Sequence, residues 1–364
     1  MTAQATTVRR FATQQMSNIN SHLRSLHHGG PLKSHFGASI SQTNDTLETA
    51  SDHPPGETDA PGMGGFVATH GEAASAPSFT NEFGQFSHGR VALWSGGSID
   101  IGTSELSGGD DEMDHVSLAQ SADIDYRLTK NLVAGFAVGV NRTHTDVSDN
   151  GTKVDGSGAS LSGYASCQAL SDFYLDAIAG FGGISLDNTR YVTSTGDYDY
   201  GTRAGCQTFA SLQATYEKDL HGVTVAPYLK AQASRSWLDS YSETGGGSYN
   251  LKYGDETVDS LTGSIGVRVE TAFATAQGTI KLYVSFEYSH EFADASDLAL
   301  SYLSTSTIYS LTTDEDAKDT GTVEFGAQLM TIDQVTRLSL EYGMTFDQDG
   351  ISNQPIRLRL SHDF

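Results

Sequence analysis

From Arg90 to the end of the chain, apolar and polar residues alternate one for one in stretch after stretch. In TIKLYVSFEYSHEF, Ile280, Leu282, Val284, Phe286 and Tyr288 alternate with Lys281, Tyr283, Ser285, Glu287 and Ser289. HVSLAQSADIDYRLT sets Val116, Leu118, Ala122, Ile124, Tyr126 and Leu128 against Ser117, Asp123, Asp125 and Arg127. SLTGSIGVRVE and TRLSLEYGMTF repeat the pattern, with Arg268 and Glu270, then Arg337 and Glu341, on the polar side. Successive side chains of a strand point to opposite faces, so this period predicts strands with one apolar and one polar face. About twelve are expected, near 90–101, 115–128, 132–145, 158–170, 173–187, 202–219, 222–238, 257–271, 279–292, 320–330, 335–347 and 355–364.

Alternation alone fits a soluble β-sandwich as well as a membrane barrel. The connections separate the two. Those after even-numbered strands are tiny, such as Thr129 to Asn131 or Ser171 to Asp172, whereas those after odd-numbered strands are long and acidic, such as SELSGGDDEMD and SYSETGGGSYNLKYGDE. An outer-membrane barrel has short turns on the periplasmic side and long loops outside, and a sandwich has no reason to sort its loops this way. The expected strands also outrun the roughly five or six residues of a soluble strand, while about 9–11 tilted residues cross a bilayer. The fold predicted is therefore an all-β transmembrane barrel of about twelve antiparallel strands, closed so that every backbone group is paired, over residues 89–364. Its apolar faces meet lipid, and Arg268, Glu270, Glu287, Arg337, Glu341, Arg357 and Arg359 face a polar lumen. Pro227 removes one ladder hydrogen bond and marks a bulge or strand end.

One segment has a different period. Val8, Ala12, Met16, Ile19, Leu23 and Leu26 fall at spacings of three and four, which predicts an α-helix over 8–28 within an N-terminal unit 1–28, ended by Gly29, Gly30 and Pro31. Residues 29–88 are rich in Gly, Pro, Ser and Asp and read as a linker or loosely ordered segment. A lumen of twelve strands is wider than the eight-strand size that side chains fill, and the helix is the element available to plug it. In that position Arg9, Arg10 and Arg24 are expected to meet inward Glu270, Glu287, Glu324 and Glu341, with Met16, Ile19 and Leu23 on Gly266 and Gly326. The competing placement is an amphipathic helix lying on a membrane surface outside the barrel.

Composition adjusts the picture. Only 37% of residues are apolar and the formal charge is −24, too thin a core for a soluble domain of 364 residues but suited to a wall whose apolar face meets lipid. The acidic balance argues against nucleic acid as a partner. The longest apolar run, NLVAGFAVGV, is well short of the roughly 20 residues of a spanning helix. Cys167 and Cys206 lack CxxC spacing, so neither zinc nor a disulfide framework is signalled. Catalysis has little support: His290 and Glu291 begin an HExxH pattern, but Asp294 stands where its second histidine belongs, and His144 with Asp146 reads as a solvated pair. No catalytic residue, cofactor or metal is predicted.

Three features resemble the translocator domain of the autotransporters, the type V secretion family of Gram-negative outer membranes. They are the helix MSNINSHLRSL upstream of the strands, the opening strand RVALWSGGSIDIG, and the closing strands that end in LRLSHDF. The resemblance implies a monomeric outer-membrane barrel, threaded by a helix, that anchors and exports an upstream passenger. It also implies that the terminal Phe364 is read as an assembly signal by the barrel assembly machinery, and that the partners are outer-membrane lipid, lipopolysaccharide and the protein's own passenger segment outside this chain. With no passenger repeats or signal peptide ahead of the helix, the chain is expected to be the C-terminal portion of a longer precursor or a shortened relative. A porin or small-solute channel is the alternative function, and an outer-membrane protease a more distant one.

Overall fold

The computed structural model describes residues 2–27, 35–43, 90–105, 112–276, 278–305, 307–312, 318–331, 336–346, 351–353 and 355–363. In chain order these form α1 (Thr2–Leu26), β1 (His35–Thr43), β2 (Val91–Glu105), β3 (Glu112–Thr129), β4 (Leu132–Val147), β5 (Thr152–Leu170), β6 (Phe173–Val192), β7 (Asp197–Tyr216), β8 (Lys218–Leu220) and β9 (Val223–Leu238). They continue as β10 (Tyr241–Ser242), β11 (Leu251–Tyr253), β12 (Glu256–Thr275), β13 (Gly278–Glu291), β14 (Asp297–Tyr302), β15 (Tyr309–Thr312), β16 (Asp319–Thr331), β17 (Thr336–Phe346), β18 (Ile351–Asn353) and β19 (Pro355–Asp363).

The sheet inverts the solvent logic of a soluble protein. Along β4 the outward residues Phe136, Val138 and Val140 are 67%, 56% and 56% exposed, while inward Asn141, Thr143 and Thr145 are buried. Apolar side chains outside and polar ones inside are stable only where the outer solvent is hydrocarbon. Neighbouring strands from β2 to β7 pair antiparallel, and so do β7 with β9, β9 with β12, and β12, β13, β16, β17 and β19 in turn. Short turns make the tight links: Leu220 pairs with Val223 across His221 and Gly222, both at positive φ (59° and 87°), the backbone of a two-residue hairpin. The long connections carry structure of their own, a separate four-stranded sheet in the order β10, β11, β14, β15, with Tyr241, Tyr253, Leu298 and Leu300 as its small core.

The twelve expected segments correspond to β2–β7, β9, β12, β13, β16, β17 and β19, but among the described residues the sheet has fifteen strands. The count is corrected by three additions. Short β8 and β18 pair only beside β9 and β17, and β1 lies within the stretch assigned to the linker, antiparallel to β19 and parallel to β2. Pro227 stands at the junction where the partner of β9 changes from β8 to β7: Val225 pairs with Lys218, Tyr228 with Thr215, and Pro227 with neither. The sheet curls round α1, which packs against β2 to β7, β9 and β12.

Candidate functional site: the inner wall and its helix

The helix carries Gln4, Gln14, Gln15, Asn18 and His22 among its buried residues, interleaved with Val8, Phe11, Ala12, Met16, Ile19 and Leu23. Such a mixed surface suits the inner wall, which offers both polar and apolar patches. Val8 and Phe11 pack with Val154, Ile184, Leu186 and Val258, and Met16, Ile19 and Leu23 pack with Ala137, Tyr164, Ile178 and Phe209. Glycine lets the backbones approach: a Cβ on Gly156 would lie 2.9 Å from Thr7 and 3.0 Å from the Phe11 ring.

Hydrogen bonds secure the helix at three depths. At the end carrying the long connections, Gln4 donates to Asn188 (2.7 Å) and to the Tyr241 hydroxyl (3.1 Å). Its carbonyl accepts from the fully buried Arg203 (2.8 Å), which also binds Glu256 (2.8 Å) and the carbonyls of Asp239 and Gly254 (both 2.9 Å). Midway, Gln14 accepts from Ser117 (3.0 Å) and Asn141 (3.3 Å), and Gln15 from Ser121 (3.1 Å). Lower down, His22 pairs with Asp125 (2.8 Å) and stacks on Trp94 at 4.6 Å, and Tyr164 donates to the other Asp125 oxygen (2.8 Å).

His27, just beyond the helix at the short-turn end, lies between Glu217 (2.7 Å) and Asp176 (3.0 Å) and stacks on Tyr174 at 4.0 Å. Burial opposes charge on its ring, but hydrogen bonds and attraction from the two carboxylates outweigh that and raise its pKa to about 9.

The four glutamates singled out in the sequence lie on the inner wall, each with partners on the wall itself. Glu270 is held by Lys281 (2.9 Å) and Arg268 (3.3 Å), and Glu287 by Lys230 (2.9 Å) and Tyr228 (2.7 Å). Glu324 accepts from Ser285 (3.2 Å), Glu341 is a partner of Tyr283, and Arg268 stacks over the Tyr283 ring at 3.4 Å. Arg9 donates to the Asp259 carbonyl (3.2 Å), Arg10 is half-buried, and Arg24 is exposed. Gly266 and Gly326 do not receive Met16, Ile19 and Leu23 as expected; Tyr228 and Tyr283 lie over them. Phe364 lies outside the described residues. His22, His27, Asp125, Asp176 and Arg203 were missed as anchors, although the period of two already placed Asp125 on the inward face.

Comparisons with known proteins agree with this architecture. The model of the autotransporter β-domain family matches residues 93–343. No curated protein matches. The translocator domain of the autotransporter NalP from Neisseria meningitidis superposes with a TM-score of 0.58 at 15% identity, covering 76% of this chain and 88% of that one. The β-domain of the Bordetella autotransporter BrkA does so with a TM-score of 0.53 at 13% identity, covering 76% of this chain and all (100%) of that one. The likeness to these two structures is one of fold, while the family match spans most of the strand-forming sequence. The chain belongs to the autotransporter β-domain family, transport proteins of the Gram-negative outer membrane.

Proposed function

We propose that this chain is a closed translocator barrel that anchors an upstream passenger and exports it to the cell surface, with α1 occupying the lumen as a plug. The observation that carries this reading is the direction of the helix. Gln4 lies at the end with the long connections and His27 at the end with the short turns, so any chain preceding Thr2 leads toward the outer face. Closure is supported by the ladder joining β9 to β12, from Leu238 with Glu256 down to Val223 with Thr271, and by β1 pairing with both β19 and β2. The family implies a passenger. In this reading Arg9, Arg10 and Arg24 of the helix and Glu270, Glu287, Glu324 and Glu341 of the wall are the charged groups through which plug and lumen meet.

The test is display. With a signal peptide and an epitope fused ahead of Met1, the epitope is expected to become accessible to external protease on intact cells, and to remain inside when β17–β19 are deleted. A retained epitope together with free diffusion of small solutes would favour the channel reading instead.

The terminal Phe364 is proposed to be the feature read by the assembly machinery. Burying one aromatic contributes about 1.5–3 kcal/mol, small beside a whole barrel. A polar substitution is therefore expected to lower the inserted amount far more than the stability of what does insert. Wild-type insertion of that variant would count against the role.

A further inference from the structure

We propose that Arg142, on the outer face of β4, is a binding site for a phosphate of the outer-leaflet glycolipid. The inference rests on the barrel reading above and adds a partner to its outer wall. The outward residues of β4 run Ala134, Phe136, Val138, Val140 and then Arg142, His144 and Asp146, so Arg142 is the first charge met above the apolar series. From Leu132, at the short-turn end, to Arg142 the strand climbs about 33 Å at 3.3 Å per residue, or about 25 Å once tilted by ~40°. That is the height of the apolar band of such barrels, so the guanidinium stands at the outer edge of the hydrocarbon. The long connections lie beyond it, which makes that edge the outer leaflet.

The neighbouring cations are already committed. His144 binds Asp155 (2.5 Å) and Asp146 (3.2 Å), and Lys153 lies 3.8 Å from the same Asp155. Arg235, also facing outward, is held by both oxygens of Asp259 (2.6 Å each). Arg142 instead faces Leu118 on β3 and Ser157 on β5 in register, and among the described residues it has no acceptor. A guanidinium with five donors at a hydrocarbon boundary must find an acceptor from outside the protein, and its planar fork matches phosphate. Its aliphatic stem can lie along the apolar band while its head reaches up to the headgroup layer.

A lipid-borne phosphate fits better than a free one. Asp114, Asp146 and Asp155 face outward just above Arg142 and repel a diffusing anion, whereas a glycolipid also buries its acyl chains against Val138 and Val140.

The experiment uses the full chain folded in detergent, with its heat-dependent gel shift as proof of an assembled barrel. Native mass spectrometry then compares retention of bisphosphorylated lipid A with that of its dephosphorylated form. The wild type is expected to retain the phosphorylated lipid about tenfold better, the worth of one charge-assisted contact. Arg142→Gln should abolish that preference, and Arg142→Lys should keep part of it. Equal retention of the two lipids by the wild type, an unchanged preference in Arg142→Gln, or displacement by inorganic phosphate at equal concentration would overturn the proposal. Absence of the gel shift in the wild type would overturn the barrel reading itself.

Discussion

His27 is held by two carboxylates and by the face of Tyr174, directly after the last residue of α1. Its raised pKa fixes the sign of a pH effect. A histidine near 6.5 when free and about 9 when seated contributes fully below pH 6.5, and the contribution is lost as pH climbs through about 9. Trypsin cleavage at Arg24 is therefore expected to accelerate between pH 7 and pH 10 beyond the enzyme's own pH dependence, and His27→Gln should already be cleaved quickly at pH 7. Identical cleavage of the two proteins at pH 7 would remove the anchor. At the opposite end Arg203 is fully buried between Gln4 and Glu256. Arg203→Met leaves Glu256 buried without its cation, a loss of about 3–5 kcal/mol when one partner of a buried pair is removed. A markedly lower unfolding temperature in detergent is the expected result, and an unchanged one would show Glu256 re-paired. Neither anchor was legible in the sequence. A lone histidine or arginine carries no periodic signal, and its partners stand far along the chain.

Elements were far more legible than contacts. Strand positions follow from alternation because lipid on one side and polar lumen on the other impose a period of two along the whole crossing. The ends followed less well: β6, β7 and β12 each run to 20 residues, beyond the roughly 9–11 that cross a bilayer. Their outer halves carry mixed residues such as Asp187, Thr202 and Glu256, where lipid no longer imposes a pattern. β1 was lost in the linker because HFGASISQT has only Phe36, Ala38 and Ile40 as an apolar series, set in a Gly- and Ser-rich context. The helix was found by its spacing, but its first turns, Thr2 to Thr7, have only small and polar residues and no apolar period to extend. Small residues on the facing wall decide how closely it seats. Gly156→Leu places a side chain where Thr7 and Phe11 already lie and is expected to push the upper helix off the wall. Faster hydrogen exchange in residues 4–12 with a preserved gel shift is the outcome that supports this. Unchanged exchange would mean that the ring of Phe11 simply turns aside.

At the scale of the whole molecule, a charge of −24 and an apolar content of 37% describe a poor globule and a good barrel wall. Outward Phe136, Val138, Leu212, Leu229, Ile265 and Phe286 stay exposed in the isolated chain and gain their burial from lipid. The same balance explains why a helix sits inside. Its buried Gln14 and Gln15 meet Ser117, Ser121 and Asn141, and His22 meets Asp125, a surface that neither lipid nor an apolar core would tolerate, and it packs on the β2–β7, β9 and β12 side of the sheet. Without it, the closed barrel proposed above would have a lumen wider than the eight-strand size that side chains fill. Removal of residues 1–28 is thus expected to raise single-channel conductance in planar bilayers several-fold while the wall, whose ladders run strand to strand without the helix, keeps its resistance to SDS until heated. Conductance unchanged in a barrel that still shows the heat-dependent shift would mean that the helix does not block the ion path, and the plug assignment would fall while the barrel assignment stood.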